Sequence, residues 1–384
     1  MLQGQECNRM LKGFYLTLMM GPVIAVPVPQ PVTDALMGVQ VTTTDGQRSG
    51  FQLTFAVSKR SLLNTALLPA GFFDPMIRVI IVATINGMPN VLMDGVITRQ
   101  EISPSNEPGQ STLTITGEDL TVMMELIDLT GIPYPNMPDF AIVDFILLRY
   151  AVFGMIPLVI PSLFLDVPLV TDDIPQQQGT DLAYIQSLAK QNSYVFYIDP
   201  GPVPETNTAY WGPKIRTGVP QSALNINMDA DTNVESLSFS LDGKSKVQLI
   251  LVVQDPITHK IPIPVPVPDV GILRPPLAAR PTPPFQVKVL EGTAMLNPIK
   301  AALYGLSETA DSADIVSGSG QLDVVRYGQP LKARGLVGVR GAGLAYDGLY
   351  YVTSVTHNIK RGEYKQSFSL VRDGLMPNVP GVIP

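Results

Sequence analysis

The chain has 384 residues, of which 45% are hydrophobic and only 15% are charged, and its formal net charge is −7. This length allows two or three domains with separate cores, and the composition excludes a disordered chain. The acidic balance argues against broad nucleic-acid binding through a basic face. Low charge with many apolar residues is compatible with a large β-rich core, and it favours surfaces that are buried in an assembly. A single cysteine, Cys7, excludes an intramolecular disulfide and a thiolate metal cluster.

The beginning of the sequence, residues 1–13, is predicted to be an N-terminal extension. It lacks the apolar core and the small-residue cleavage site of a secretory signal peptide. Two apolar stretches, 14–28 and 140–165, are interrupted by prolines or charged residues. A transmembrane helix needs about 20 apolar residues in succession, so we expect no membrane span. The single cysteine fits synthesis in a reducing cytoplasm.

Residues 14–120 are predicted to form a first β domain. From Phe51 to Val57 apolar and polar residues alternate, which indicates a strand with one buried face. The continuous apolar run from Met76 to Ile85 indicates a strand that is covered on both faces. Further strands are predicted at 91–97 and 111–116, with turn residues between them.

Residues 121–204 are predicted to form a mixed region that is largely helical. Apolar residues at helical spacing predict a helix from Thr121 to Leu129, and Asp139 and Thr180 are predicted to cap two further helices. A strand at 194–198 follows. The methionine and aromatic stripes of this region indicate core packing rather than a cofactor site.

Residues 205–375 are predicted to form a second β domain, followed by a C-terminal tail at 376–384. Strands at 234–241 and 247–253 are predicted to form a hairpin, because an Asp-Gly turn separates them. Another helix is predicted at 294–304.

A Pro-rich insertion, 261–284, interrupts the second β domain. Proline cannot donate a ladder hydrogen bond and favours an extended backbone, so a loop or arm is predicted. Two interpretations remain open for it, a flexible insertion and an arm that lies along a neighbouring subunit.

The last part of the chain contains four alternating runs separated by glycine turns, between Gly318 and Leu375. One of them echoes the first β domain: 110–120 and 366–375 are both alternating strands that end in an acidic, glycine-bearing turn. This similarity is compatible with duplication of one unit and with chance similarity between two strands.

Eight motifs follow one another along the chain: LMDGVITRQEIS, STLTITGEDL, DLAYIQSLA, YVFYID, TAYWGPKI, GLVGVRGAG, DGLYYVTSVTHNIKRGEY and SFSLVRDG. Their order resembles the baseplate hub family of contractile tails, which includes phage late control protein D and the head of the VgrG spike proteins. The resemblance implies an α+β, mainly β fold with two similar tube-like antiparallel β-barrel domains and an inserted helical or mixed region. TAYWGPKI would begin the second barrel.

The resemblance also implies a function and partners. A homotrimer would form a pseudo-sixfold ring that joins the hexameric tail tube protein to a trimeric spike protein, with baseplate wedge proteins around it. Because the sequence stops after the second barrel, the spike is expected to be a separate chain. Neither recognition of a specific nucleic-acid sequence nor a cofactor is expected.

The sequence contains no arrangement of residues that indicates a catalytic, cofactor-binding or metal-binding site. His259 and His357 are the only histidines, and the adjacent carboxylates Asp172 and Asp173 are interpreted as a solvated turn. The glycines at 338, 341 and 343 lack the strand-to-helix context of a nucleotide-binding loop. The alternatives to a structural hub are a secreted β-sandwich binding module and a tail-associated cell-wall hydrolase.

Overall fold

The computed structural model describes residues 13–107, 110–161, 174–254, 262–266, 275–289, 305, 309 and 312–378. The predicted fold class is confirmed, since these residues form mainly antiparallel strands with few helices. The predicted helix at 294–304 lies outside the described residues.

The N-terminal strands enclose an apolar core. They and one short helix are β1 (Phe14–Gly21), β2 (Val26–Pro27), α1 (Gln30–Ala35), β3 (Leu36–Thr44), β4 (Gly50–Ala56), β5 (Arg78–Ile85), β6 (Met88–Ser103) and β7 (Thr112–Asp119). As the alternation predicts, Phe51, Leu53 and Phe55 of β4 are buried while Gln52 is exposed. Every residue of β5 is buried, as its continuous apolar run predicts.

A mixed helical and strand region follows. Its elements are α2 (Asp139–Leu148), β8 (Met155–Val159), α3 (Asp181–Gln191), β9 (Tyr194–Pro200) and β10 (Asn207–Pro213). The Thr180 side chain caps α3 as predicted, because its Oγ1 accepts a hydrogen bond from the Ala183 amide at 3.3 Å.

Two of the predictions for this region are wrong. The helix predicted from Thr121 is a 3-10 turn over Leu120–Met124, since the chain bends away after that turn. Asp139 does not cap α2. The N-cap is Pro138, and the Asp139 carboxylate instead accepts a hydrogen bond from Asn192 Nδ2 at 2.7 Å.

The strand containing Trp211 lies in this mixed region. The resemblance assigned it to the start of the second barrel, but β10 pairs parallel with β8 and antiparallel with β9. Its indole is fully buried among the side chains of the helical region. The three strands form a small sheet against which α2 and α3 pack.

The C-terminal part returns to β structure. Its elements are β11 (Gln221–Asn225), β12 (Val234–Leu241), β13 (Val247–Gln254), β14 (Pro262–Pro266), β15 (Ala278–Pro281), β16 (Gln286–Val289), β17 (Val316–Asp323), α4 (Val324–Tyr327), β18 (Leu336–Arg340), β19 (Gly348–Lys360), β20 (Glu363–Arg372) and β21 (Gly374–Pro377). The Pro-rich insertion contributes β14 and β15 to two small sheets.

The predicted hairpin between β12 and β13 does not form. The Asp242 carboxylate accepts a hydrogen bond from the Lys244 amide at 3.0 Å and caps a 3-10 turn, which redirects the chain. As a result β12 pairs with β17 in the large sheet, whereas β13 pairs with β14 and β16 in a separate sheet.

The large sheet joins the two halves of the chain. It has 13 strands, and eight of them follow the order β12-β17-β20-β19-β3-β4-β7-β6, with every neighbouring pair antiparallel. The first four come from the C-terminal half and the last four from the N-terminal half. In each half the strands occur in the spatial order first, second, fourth, third along the chain. We call these two sets of four the C-unit (β12, β17, β20, β19) and the N-unit (β3, β4, β7, β6).

Two β-bulges recur at the same places in both units. Between the first and second strands, the extra residue is Met37 in the N-unit and Glu235 in the C-unit. Between the third and fourth strands, the extra residue is Thr98 or Thr353. A bulge inserts one residue into one strand of a pair and so marks a register position. The bulges therefore superimpose the two units residue by residue.

The bulged threonines also make the same contact. Thr98 Oγ1 donates to the Thr116 carbonyl oxygen at 3.3 Å, and Thr353 Oγ1 donates to the Ser369 carbonyl oxygen at 3.2 Å. This contact makes Thr116 of β7 equivalent to Ser369 of β20. The sequence echo, in which Gln110 matches Gln366, gives an alignment of the two strands that differs by three residues. The echo and the bulges therefore match the same two strands, β7 and β20, but the bulges determine which of their residues are equivalent.

The apolar side chains form two main cores. The larger one lies under the long sheet and combines residues of both units. The second one lies in the mixed region, between the 3-10 turn after β7, helices α2 and α3, and the strand β10.

Candidate functional site: the polar face of the long sheet

One face of the eight-stranded sheet carries small uncharged polar side chains. The edge strand β6 carries Arg99, Glu101 and Ser103 on this face, opposite β7. Along the other seven strands, residues that point to the core alternate with small uncharged polar residues. We call the latter set the polar face, and none of its members is buried: Gln40, Thr42, Thr44, Gln52, Thr54, Thr112, Thr114, Thr116, Ser236, Ser238, Ser240, Ser317, Ser319, Gln321, Ser354, Thr356, Asn358, Ser367 and Ser369. The two units contribute comparable numbers, so the polar face extends across both.

The polar face is continuous across the junction of the two units. There β19 pairs with β3 over seven residues, and hydroxyl groups meet side by side. Thr42 Oγ1 lies 3.2 Å from Thr356 Oγ1, and Thr44 Oγ1 lies 3.0 Å from Ser354 Oγ. Cross-strand hydroxyl pairs of this kind add specificity to strand pairing.

Charged side chains lie at the margins of the polar face. Arg48 bonds Glu118 at 2.6 Å beyond one end of β4, and Lys365 bonds Glu235 at 3.0 Å on the other unit. Each unit also has a shallow, open depression on this face, of about 400 Å³ in the C-unit and about 530 Å³ in the N-unit. Neither has the enclosed apolar form of a small-molecule site.

A buried ion pair fastens the neighbouring strands β5 and β6 to the mixed region. Arg78 of β5 and Asp94 of β6 are only 2% and 1% exposed and form a bidentate pair, with Nε–Oδ1 and Nη2–Oδ2 distances of 2.8 and 2.7 Å. Arg78 also donates to the carbonyl oxygens of Val23 and Phe153, and Asn207 of β10 donates to Asp94. Phe153 and Asn207 belong to the mixed region, so their contacts with the pair hold the two parts together.

His357 has a packing role in β19. It is buried, and its Nδ1 lies 2.7 Å from Tyr364 Oη and 3.2 Å from Gln366 Nε2. Burial lowers the pKa of the His357 imidazole to about 3, so the ring is neutral. Gln366 in turn bonds the backbone amide and carbonyl of Leu331 at 2.8 and 2.9 Å. This network anchors the loop before β18 to the sheet.

The remaining sequence candidates do not converge on a site. Gly338 lies in β18, and Gly341 and Gly343 adopt positive φ in the turn that follows, so these glycines form a turn between strands. His259 and the pair Asp172–Asp173 lie outside the described residues. In the parts of the chain that the structure describes, no cluster of three His, Cys, Asp or Glu side chains could hold a metal ion.

None of the helices in the described part of the chain is long and apolar enough to cross a membrane. Sequence reasoning had not identified the polar face or the buried ion pair. The polar face could have been predicted from the Ser and Thr residues at alternate positions of several strands. The signal for the pair was one arginine and one aspartate within otherwise apolar strands.

Comparison with known proteins gives structural matches only. No family model and no curated protein matches the sequence. The fold is similar to a tail protein from Neisseria meningitidis, with 13% identity, a TM-score of 0.62, and 95% and 98% of this and that chain covered. It is also similar to the 43 kDa tail protein of prophage MuSo2 from Shewanella oneidensis, with 15% identity, a TM-score of 0.58, and coverage of 93% and 98%.

A third similar structure is a chain of the Francisella PdpA–VgrG complex. It has 10% identity and a TM-score of 0.57, and the match covers 98% of this chain and 61% of that chain. The three similarities together establish a shared fold over nearly the whole length of this chain.

Proposed function

We propose that this protein is the structural baseplate hub of a contractile tail or phage-tail-like injection machine. In this proposal a homotrimer forms a pseudo-sixfold ring between a hexameric tail tube and a separate trimeric spike, with wedge proteins around it. The protein then acts by symmetry matching and catalyses no reaction.

The observation that carries the proposal is the repeated unit. The N-unit and the C-unit have the same strand order, orientation and bulge positions, and they lie side by side in one sheet. Four antiparallel steps separate equivalent strands, so the units are related by a shift along the sheet that keeps the strand direction. Three chains would supply six such units, which suits a sixfold partner. The tail proteins with this fold support the same assignment.

The polar face supports a role as the lining of the ring's bore. Cationic side chains would retain a polyanion, and anionic ones would repel it. Apolar side chains would bind unfolded protein segments. Hydroxyl and amide groups neither attract nor repel a polyanion strongly, and they bind unfolded protein segments weakly. A bore lined by them therefore suits the passage of tube contents. We further propose that residues 14–120 and about 205–375 build the ring, except for β10, which lies in the mixed region, and that the mixed region packs outside the ring.

The test is the absolute mass of the purified full-length chain by light scattering, alone and with its candidate spike. A hub is expected to have the mass of three copies of the 41.5 kDa chain, about 125 kDa. A chain that stays monomeric with the spike would overturn the proposal and return attention to a binding module. Degradation of purified cell wall by this protein would instead favour the hydrolase alternative.

A further inference from the structure

The eight-stranded sheet ends in two open edges. In the described part of the chain, β12 pairs with β17 alone. At the other end, β6 pairs with β5 only up to Val96, so Thr98–Ser103 has β7 on one side and, among the described residues, no strand on the other. Such edges present unpaired backbone N–H and C=O groups, which are templates for another strand.

The two edges belong to strands of complementary kinds. β6 is the third strand of the N-unit, and β12 is the first strand of the C-unit. Within the chain, the third strand of the C-unit (β19) already pairs with the first strand of the N-unit (β3). The same junction is therefore available between the β6 edge of one copy and the β12 edge of another. We propose that a second copy of this chain occupies each edge, head to tail, in the register of the β19–β3 junction.

The bulges fix that register. They make Ser354, Thr356 and Asn358 equivalent to Arg99, Glu101 and Ser103, and they make Thr44, Thr42 and Gln40 equivalent to Asp242, Ser240 and Ser238. Ser354 faces Thr44, and Asn358 faces Gln40. Transferring these pairs places Arg99 opposite Asp242 of the next copy, Glu101 opposite Ser240, and Ser103 opposite Ser238.

The chemistry of these pairs is complementary. Arg99 meets a carboxylate, so an ion pair replaces the hydroxyl pair of the junction within the chain. Glu101 meets a serine hydroxyl, which can donate to it. On the core side, Ile102, which is 48% exposed in the single chain, lies opposite Phe239 of the next copy. Leu241, which is 41% exposed, lies opposite Gln100. This contact between the β6 edge of one copy and the β12 edge of the next, which we call the seam, thus covers apolar side chains that a single copy leaves exposed.

This inference rests on the proposed ring, so its test separates the register from the oligomeric state. Full-length chains with Cys7→Ser carry one new cysteine each. Chains with Ser103→Cys are mixed with chains with Ser238→Cys and mildly oxidised. Partners in register lie within the roughly 4.4–6.8 Å Cα separation that a disulfide needs. The matched control mixes Ser103→Cys with Ser240→Cys, which is displaced by two residues along the strand.

We expect a disulfide-linked dimer on non-reducing gels from the first mixture, at least tenfold more abundant than from the control. The unoxidised mixtures are checked for wild-type Tm and for the 125 kDa mass. A trimeric mass with equal or preferred linkage of the displaced pair, or with no linkage, overturns the register and leaves the hub intact. A monomeric mass with no linkage overturns both.

Discussion

The buried pair between Arg78 and Asp94 gives the sharpest stability prediction. The change is Asp94→Asn, which keeps the size of the side chain but removes its charge. It leaves a guanidinium that is 2% exposed without a carboxylate. It also places an amide N–H₂ among donors, because Asp94 accepts from both Arg78 nitrogens and from Asn207 Nδ2. Removing one partner of a buried pair costs about 3–5 kcal/mol.

That loss converts into a melting shift. The entropy of unfolding is about 2.1 cal/mol/K per residue. For 384 residues that unfold together this amounts to about 0.8 kcal/mol/K. The expected fall in Tm is therefore about 4–6 °C, measured by calorimetry at fixed protein concentration, since assembly makes Tm concentration-dependent.

The matched control is Glu363→Ala. It removes a carboxylate that lies 3.3 Å from Lys365 in an exposed pair, where solvent screening leaves little net attraction. Its Tm is expected to stay within about 1 °C of the wild type. The double change Arg78→Met with Asp94→Leu is expected to recover at least half of the loss, because no buried charge remains. If Asp94→Asn lowers Tm no more than the control does, the reasoning is refuted.

Three further predictions concern packing, pH and assembly. Gly117→Ala would place a Cβ 2.2 Å from a phenylalanine ring and 2.4 Å from a carbonyl oxygen, so a loss of about 1–3 kcal/mol is expected in chemical denaturation. Gly50→Ala, whose nearest atom is 3.3 Å away, serves as control, and equal losses would contradict the prediction. Because burial lowers the pKa of His357 from 6.5 to about 3, the unfolded chain binds the extra proton between these values. Wild-type stability should fall as the pH drops through this window, by about 2 kcal/mol at pH 5, and His357→Gln should lose correspondingly less. Identical pH slopes for the two proteins would argue against this origin. Arg99→Asp should lower the trimer fraction in light scattering, and adding Asp242→Arg should restore it; restoration failing while both single variants keep their Tm would count against the seam.

Much of the fold could be predicted from local pattern. Alternation in β4 and the continuous apolar run of β5 reflect the two ways in which a strand can be buried, and both predictions are confirmed. Thr180 caps α3 because the capping bond depends on residues three positions apart. By contrast, the prediction of a hairpin after β12 was wrong, since an Asp-Gly pair is also compatible with the capped 3-10 turn that forms there.

The register of the two units could not be predicted from the sequence. The echo between 110–120 and 366–375 identifies the equivalent strands, yet matching identical letters misplaces them by three residues. Bulges such as those at Thr98 and Thr353 arise from pairing between strands that are distant in the chain, so no local pattern encodes them.

The sequence by itself determined that this protein is mainly β, because strand-length runs that are either alternating or continuously apolar recur along the chain. It also determined that uncharged polar side chains occupy alternate positions in many of the strands. Only the tertiary structure decided that these positions merge into one polar face and that β19 joins β3. It likewise decided that Arg78 pairs with Asp94 and that Asn207 donates a hydrogen bond to Asp94. Each of these depends on contacts between residues far apart in the chain, whose free energy is set by which surfaces meet rather than by local residue preference.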